Sequence, residues 1–230
     1  MLETVAKTDI IYPSSDGEPV AETYIHLYAI LTTLEVLKQY LSGQQGTVLA
    51  NQFMYYSQGL PRMRVAPDVM VIFNVEPGGR DNYKIWKEKE VPQVIFEMTS
   101  PGTKNQDQEF KKTLYEQLGV KEYWLFDPKG EWIPEQLKGY RLRNTVYEVI
   151  EDNRSEPLQL QLKVEGQLIG FYREDTGKKL LIPEELATAL QEKETELQEK
   201  ETELQQEKQK LSEMEAMLEK YRQQFGDLSE

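Results

Sequence analysis

Apolar positions in the first part of the chain follow helical spacing and then strand spacing. Residues 21–41 carry apolar side chains three or four positions apart, which predicts a helix with one buried stripe that ends at Ser42-Gly43. Residues 105–118 have the same character, and Gly119 is placed as a C-terminal cap. Short runs rich in β-branched and apolar residues predict strands at 47–56, 64–75, 91–98 and 123–126.

The order of these elements predicts a mixed α/β fold. The sequence strand, helix, strand across residues 91–126 predicts a right-handed βαβ crossover. A polar segment at 76–90 separates two core strands, and long loops of this kind often carry function. The residues that follow predict a β-meander with strands at 140–150, 158–164 and 167–172.

The C-terminal part of the chain has a different period. Leucine recurs every seven residues, and Phe225 continues the series after Leu190, Leu197, Leu204, Leu211 and Leu218. A seven-residue period predicts a coiled-coil helix. The second seam position is polar at Lys193, Lys200 and Glu207 and apolar only at Met214 and Tyr221. We expect a homodimer through residues 190–225, with a solvated single helix or a partner-docking helix as the alternatives.

These changes in pattern predict three regions. Residues 1–20 are polar and predict an N-terminal arm, residues 21–182 predict the folded domain, and residues 183–230 predict the coiled-coil helix. No apolar run reaches the length of a membrane span, and the N-terminal residues are too polar for a signal peptide. We therefore expect a protein without a membrane segment.

Composition restricts the chemistry. The chain has no cysteine, which excludes disulfides, cysteine-ligated zinc and a thiol nucleophile, and which agrees with a cytoplasmic location. His26 is the single histidine, so a multi-histidine zinc site is excluded and a Ser-His-Asp triad would need this one residue. On its own, His26 is expected to be an ordinary histidine of the first helix.

Charge is spread unevenly along the chain. The net charge is −13, of which −8 falls on residues 184–230 and −5 on the preceding residues. A negative chain argues against a general nucleic-acid coat protein, because neutralisation of phosphates dominates the affinity of such proteins. Nucleic acid stays available as a substrate, since a bound metal ion would offset some of the acids.

Two acids lie at the edges of predicted buried strands. Asp68 belongs to the run VAPDVMVIF and Glu97 to the run VPQVIFEM. A carboxylate in a buried strand is costly unless it is paired, hydrogen-bonded or bound to a metal. Neighbouring strands lie about 5 Å apart, so the two carboxylates can share a cation such as Mg²⁺, which prefers oxygen ligands. With Lys111 on the next helix, the set predicts a divalent-metal site that handles phosphate.

Each of these residues also has a structural alternative. Asp68 could be a strand-start cap, Glu97 could be held by an ordinary ion pair, and Lys111 could be a solvated helix lysine. Asp107 could be a first-turn acid that the helix dipole favours. The four-residue spacing from Asp107 to Lys111 places both on one helix face.

The ordered set of motifs resembles the putative restriction endonuclease family of the PD-(D/E)xK nuclease superfamily. The resemblance covers about residues 20–175 and rests on Pro67-Asp68, Glu97-Met-Thr-Ser100-Pro101, Asp107-x-x-x-Lys111-x-x-x-Tyr115 and Leu118-Gly119-Val120-x-Glu122-Tyr123-Trp124-Leu125-Phe126-Asp127-Pro128. It implies a restriction-endonuclease-like mixed sheet flanked by helices.

The resemblance also implies roles for individual residues. Asp68 and Glu97 would be the ligands of Mg²⁺ or Mn²⁺, and Lys111 would be the catalytic lysine. Asp107 and Tyr115 would be accessory residues, and Glu22 resembles an extra acid that many such nucleases place near the metal. DNA would be the substrate.

One departure concerns the lysine. In the superfamily it usually lies two residues after the second acid, where this chain has Thr99. The resemblance implies that Lys111 has taken its place. Lys112 points about 100° away from Lys111 on a helix, so only one of them can face the site. We choose Lys111, because Tyr115 and Asp107 share its face.

Three functions follow as hypotheses. The first is a Mg²⁺-dependent endonuclease that hydrolyses DNA phosphodiester bonds. The second is a non-catalytic scaffold that keeps the nuclease fold and recruits partners through its acidic coiled coil. The third is a metal-dependent hydrolase of small nucleotides or other phosphate esters.

Overall fold

A computed structural model describes residues 10–17, 23–99 and 106–226 of the chain. Its residues divide into two compact units, Met1–Ile182 and Pro183–Glu230. Within the described residues, no helix has the length and apolar character that crossing a membrane requires. The helices are α1 (Tyr24–Tyr40), α2 (Ile85–Glu88), a π-helix (Gln106–Lys111), α3 (Lys112–Leu118) and α4 (Pro183–Phe225). The strands are β1 (Gly46–Ala50), β2 (Met54–Tyr55), β3 (Arg64–Val65), β4 (Val69–Phe73), β5 (Tyr83–Lys84), β6 (Val94–Met98), β7 (Glu122–Phe126), β8 (Leu137–Arg143), β9 (Val146–Ile150), β10 (Arg154–Ser155), β11 (Leu160–Glu165) and β12 (Leu168–Arg173).

A six-stranded sheet forms the centre of the first unit, in the order β1-β4-β6-β7-β8-β9. β6 and β7 pair in parallel, as expected for two strands joined through a helix, and the other neighbours are antiparallel. Two smaller sheets have the orders β3-β2-β5 and β10-β11-β12. The prediction of a mixed α/β fold with a mixed sheet flanked by helices is confirmed.

The inner strands of the central sheet are buried on both faces. Along β6, Val94, Phe96 and Met98 belong to a core cluster that also contains Ile30 and Leu37 of α1. Ile95 lies on the opposite face in a second cluster, together with residues of α3. The two faces explain why β6 is apolar almost throughout, and they make the carboxylate of Glu97 conspicuous.

Two predicted strands are each divided in the structure. The predicted strand 47–56 becomes β1 and β2, with Asn51 between them at φ 51°. The predicted strand 64–75 becomes β3 and β4, separated by Ala66-Pro67-Asp68. Proline has no N–H for a sheet ladder, so the chain leaves the sheet there. The two breaks let β2 and β3 form a separate hairpin before the chain returns to the central sheet at β4.

The polar segment 76–90 is more ordered than its composition suggested. It contains β5 and α2, and the Tyr83 side chain is fully buried with its hydroxyl donating to the Glu90 carbonyl at 2.7 Å. Residues of the predicted N-terminal arm pack beside it, since Asn82 Nδ2 donates to the Tyr12 carbonyl at 3.2 Å. The buried Tyr83 ring holds this polar segment against the folded unit, and the ion pair of Arg80 with Glu88 at 3.2 Å joins two parts of the segment.

The predicted β-meander belongs to two sheets. The predicted strand 140–150 is a hairpin of β8 and β9, turning at Asn144 with φ 56°. β8 and β9 extend the central sheet, whereas β10, β11 and β12 form a sheet of their own.

The predicted helix 105–118 is also two elements. A π-helix runs over Gln106–Lys111 and α3 over Lys112–Leu118. Gly119 caps α3 in the left-handed conformation with φ 84°, as the sequence predicted.

The second unit consists of α4, a helix of 43 residues. Its leucines at seven-residue spacing are half exposed, from 52% at Leu204 to 60% at Leu197. The helix itself is present, while its pairing into a coiled coil stays a prediction.

Candidate active site

The pairing of β4 with β6 brings Asp68 and Glu97 together. In this antiparallel pair, Val69 lies opposite Phe96. Asp68, the residue before Val69, therefore lies opposite Glu97, the residue after Phe96, where β4 begins and β6 ends. The Asp68 N–H donates to Glu97 Oε2 at 3.4 Å, and the Met98 N–H donates to Asp68 Oδ2 at 2.7 Å. Each acid therefore contacts the main chain of the other's strand.

Glu97 is a fully buried carboxylate with a partner for each oxygen. Lys111 Nζ lies 2.8 Å from Oε2, and the Tyr115 hydroxyl donates to Oε1 at 2.8 Å. Burial of the carboxylate is tolerated because a charged and a neutral donor both reach it. The structure thus places three residues from the sequence prediction, Glu97, Lys111 and Tyr115, in direct contact.

The structure distinguishes Lys111 from Lys112. Lys111 is the last residue of the π-helix and is 9% exposed, with its ammonium on Glu97. Lys112 begins α3 and points elsewhere, with its ammonium 4.2 Å from the centre of the Tyr140 ring. π-helical turns occur frequently at functional sites.

Tyr115 acts as a hydrogen-bond donor in this cluster. Burial raises the pKa of the Tyr115 phenol well above its ordinary value, and the charge on Glu97 raises it further. The phenol therefore keeps its proton at neutral pH. Its ring also packs edge-on against Tyr123 at 5.2 Å between centroids, which fixes the orientation of the hydroxyl.

His26 lies closer to the acids than the sequence suggested. Its Nε2 is 3.8 Å from Asp68 Oδ2, and the residue is 9% exposed near the start of α1. Thr23 caps that helix by accepting the His26 N–H at 3.4 Å. The sequence predicts an ordinary histidine of the first helix, and His26 does lie in α1, with Asp68 beside it.

Thr99 adds a buried hydroxyl on the same side of the strand. It follows Glu97 by two residues, it is 3% exposed, and its Oγ1 has no hydrogen-bond partner among the described residues. Its main-chain N–H is satisfied by the Phe126 carbonyl at 2.7 Å. The polar atom at the usual lysine position of the superfamily is therefore a hydroxyl.

The side chains of two predicted accessory residues lie outside the described part of the molecule. Glu22 lies outside the described residues, and the main chain of Asp107 belongs to the π-helix while its side chain lies outside the described part of the molecule. Their roles stay predictions.

Comparison with known proteins gives the family. A model described as Uma2, putative restriction endonuclease, matches residues 2–171. The chain belongs to the Uma2 family. The resemblance that the ordered motifs predicted is thereby confirmed. Membership supports a nuclease function.

A search of curated proteins found no match. Among solved structures, the chain is similar to a putative nuclease belonging to DUF820 from Anabaena variabilis ATCC 29413, with a TM-score of 0.43 and 16% identity over 60% of this chain and 72% of that one.

For this member of the Uma2 family, the acids at the site fit a hard divalent cation. Asp68 and Glu97 supply carboxylate oxygens only, which are the donors that Mg²⁺ and Mn²⁺ prefer. Within the described residues, no group of three or more His, Cys, Asp or Glu side chains could hold a metal. Two carboxylates agree with Mg²⁺, which is commonly held by one or two carboxylates and keeps several waters.

Other buried acids of the chain differ from this pair. Asp127 accepts four main-chain N–H groups and so anchors the turn after β7. Glu122 is held by Arg141 at 2.8 Å and by the Trp124 indole at 3.1 Å. Neither has a second carboxylate opposite it in the sheet, so Asp68 and Glu97 form the acidic pair with the geometry of a site.

Proposed function

We propose that the chain is a divalent-metal-dependent endonuclease that hydrolyses DNA phosphodiester bonds. The observation that carries the proposal is the cluster of Asp68, Glu97 and Lys111. The two acids lie opposite each other on neighbouring strands, and the ammonium of Lys111 is 2.8 Å from Glu97. Membership in a family described as putative restriction endonucleases supports the same reaction class.

Each residue has a role that its position supports. Asp68 and Glu97 would hold Mg²⁺ or Mn²⁺, which supplies positive charge to the phosphate and makes hydroxide available near neutral pH. Lys111 orients the attacking water or stabilises the negative charge that develops on the phosphate. Tyr115 fixes the Glu97 carboxylate, and His26 lies against Asp68 and restricts its rotation.

The long helix supports a homodimer as part of the proposal. A stripe of half-exposed leucines along α4 loses its contact with water if two helices pair in parallel through residues 190–225. A dimer would present two sites to the two strands of a duplex. The first half of the helix is expected to pair more weakly than the second, because its second seam position is polar at Lys193, Lys200 and Glu207.

The test of this function is a cleavage assay with matched variants. Plasmid DNA is incubated with the full chain in Mg²⁺, in Mn²⁺ and in excess chelator, and nicked and linear products are quantified. We expect cleavage that needs the divalent ion, is lost in Asp68→Asn and Lys111→Met, and is kept in the neighbouring Lys112→Met. Circular dichroism establishes that each variant is folded at the assay temperature, and Lys111→Arg, which keeps the charge beside Glu97, is the more stable substitution at the same position. Unchanged cleavage in Asp68→Asn and Lys111→Met would remove the assigned roles.

One observation favours the scaffold as a second candidate. Both oxygens of Glu97 already have protein donors, so the buried carboxylate is satisfied without any ion. Calorimetric titration with Mn²⁺ separates the two functions, because a scaffold binds no ion through Asp68 and Glu97. Comparison of plasmid, oligonucleotide and mononucleotide substrates in the same assay decides the third hypothesis, hydrolysis of small phosphate esters.

A further inference from the structure

A row of two cations and an aromatic ring crosses the small sheet β3-β2-β5. Tyr55 of β2 lies opposite Arg64 of β3 and also opposite Lys84 of β5. Residues in register on neighbouring strands project from the same face, so the three form one row, called the cationic row below. Within it the Tyr55 ring is fully buried against Tyr12, and the two cations at its ends are partly exposed. The residues beside them in register, Met54, Val65 and Tyr83, are buried in the second core cluster on the other face.

Aromatic rings hold both cations. The Arg64 guanidinium carbon is 4.1 Å from the centroid of the Phe53 ring, and Nη1 donates to the Tyr55 hydroxyl at 3.4 Å. Lys84 Nζ is 5.1 Å from the centroid of the Tyr12 ring. Stacking of this kind keeps a planar guanidinium in one orientation while several of its N–H groups stay available.

Neither cation has a carboxylate partner among the described residues, whereas most described arginines do. Pairs with carboxylates are formed by Arg80, Arg141, Arg143, Arg154 and Arg173. In a unit whose net charge is negative, an acid near an arginine is the usual arrangement. Arg62 is a third cation of the same hairpin and lies exposed in its turn. The hairpin and β5 therefore carry three cations in a unit of negative net charge.

The chain connects the cationic row directly to the candidate active site. Arg64 precedes Asp68 by four residues, which span at most about 14 Å when extended. A DNA strand carries one negative charge for about every 3.4 Å of helix axis. A phosphate held by Arg64 therefore lies within a few nucleotides of one held at Asp68 and Glu97.

We propose that the cationic row binds backbone phosphates of the nucleic-acid strand on one side of the bond that is cleaved. This inference rests on the proposed nuclease function and adds where the substrate lies. Arginine matches phosphate oxygens through two parallel hydrogen bonds, and lysine adds a point charge. Such contacts position the strand independently of its sequence, so the row sets affinity and register and leaves base recognition to other residues.

Binding measurements over a salt series test the cationic row. The full chain carrying Asp68→Asn, which is expected not to cut, is titrated with a labelled DNA duplex and followed by fluorescence anisotropy. Arg64→Gln with Lys84→Gln is expected to lower affinity for duplexes of unrelated sequence to the same degree. The slope of log affinity against log salt should fall by about two, one unit for each lost phosphate contact.

Three controls make the result specific. Lys121→Gln with Lys178→Gln removes the same charge from two exposed lysines elsewhere, and the slope should not change. Arg64→Lys keeps the charge and should keep the slope. Circular dichroism melting shows that each variant is folded, and if the double variant is not, Lys84→Gln alone should lower the slope by about one.

The outcomes separate this proposal from the proposed function. An unchanged slope in the folded double variant, or an equal fall in the Lys121 and Lys178 control, overturns the cationic row even if wild-type cleavage is normal. A reduced slope in the folded double variant supports the cationic row. This holds even if Asp68→Asn still cleaves DNA and the roles proposed for the acids fail. A wild-type chain that neither binds nor cuts nucleic acid overturns both.

Discussion

Glu97 has two donors that differ in what each contributes. Lys111 balances its charge, and Tyr115 satisfies its second oxygen without adding charge. Removing one partner of a buried ion pair leaves an uncompensated charge, which costs more than the pair contributes. The position next in sequence, Lys112, provides a natural comparison because it lies over an aromatic ring outside this cluster.

The two neighbouring lysines should therefore differ in their effect on stability. Lys111→Met is expected to lower the free energy of unfolding by about 3–5 kcal/mol, whereas Lys112→Met should lower it by about 1 kcal/mol or less. Urea denaturation of both variants, followed by circular dichroism, measures the difference. Equal effects would mean that Lys111 does not neutralise a buried Glu97.

Thr99 gives a second prediction at this scale. Because its buried hydroxyl has no partner among the described residues, Thr99→Val exchanges it for a methyl group of the same shape. We expect the free energy of unfolding to stay equal or to rise by up to about 1–3 kcal/mol. A clear loss of stability in the same urea titration would show that the hydroxyl is hydrogen-bonded in the native protein.

At the residue scale, the sequence was informative where local rules suffice. An acid at the end of an apolar strand needs a partner, and a lysine on the next helix is the nearest one, so the association of Glu97 with Lys111 could be anticipated. The position of His26 beside Asp68 could not, because it depends on how α1 packs across the sheet through Ile30 and Leu37. The tertiary packing of apolar faces leaves no such signature at position 26.

At the element scale, the hairpin of β8 and β9 closes one edge of the central sheet over α3. Tyr147 of β9 is 7% exposed, and its hydroxyl donates to the Val120 carbonyl at 2.9 Å. Burial raises the pKa of the Tyr147 phenol, and the charges of Glu116 and Glu122 raise it further. The hairpin is thereby coupled to the protonation of one tyrosine.

This coupling predicts a pH dependence. The pKa of Tyr147 is higher in the folded state than the value of about 10 in the unfolded chain, so the unfolded state loses its proton first as pH rises. The contribution of the raised Tyr147 pKa to the free energy of unfolding is fully present below pH 10. It falls above pH 10 by about 1.4 kcal/mol per pH unit. Tyr147→Phe should reduce the slope in urea titrations at alkaline pH by this amount, while the raised pKa values of Tyr83 and Tyr115 leave a remaining slope, and should lower stability at pH 8 by about 1 kcal/mol. A slope that Tyr147→Phe leaves intact would assign the titration to other groups.

The boundaries of the helices and strands were harder to predict from the sequence than their types. Apolar periodicity found the helices and core strands, but it ran through Asn51 and Pro67, where the chain leaves one sheet for another. Those two breaks create the small sheet that carries the cationic row. Proline was a local signal for the second break, and the first lies at Asn51, which has φ 51° in the left-handed region that asparagine enters more readily than most residues.

At the scale of the whole molecule, charge is concentrated in the second unit. The residues from 184 onward hold −8 of the total net charge of −13, on a helix whose leucine stripe is half exposed. Self-association along that stripe has to overcome repulsion between like charges, so salt should strengthen it. The seven-residue period was readable from the sequence, but the number of helices that pair is not encoded in a single leucine per heptad.

Substitutions on α4 test the proposed dimer in the full chain. Leu204→Glu with Leu211→Glu places charge in the seam and should convert a dimer into a monomer, as measured by sedimentation equilibrium. Gln198→Glu with Gln206→Glu adds the same charge away from the leucine stripe and should leave the dimer largely intact. A wild-type chain that sediments as a monomer at all concentrations would contradict the proposed pairing.

The central claim is that Asp68 and Glu97 hold one shared divalent cation beside Lys111. The most direct measurement is anomalous diffraction from a crystal of the full chain soaked in Mn²⁺. We predict an anomalous peak between the carboxylates of Asp68 and Glu97 that is absent from crystals of Asp68→Asn. A fully soaked crystal with no peak there, or with its peaks at other acids only, would contradict the claim.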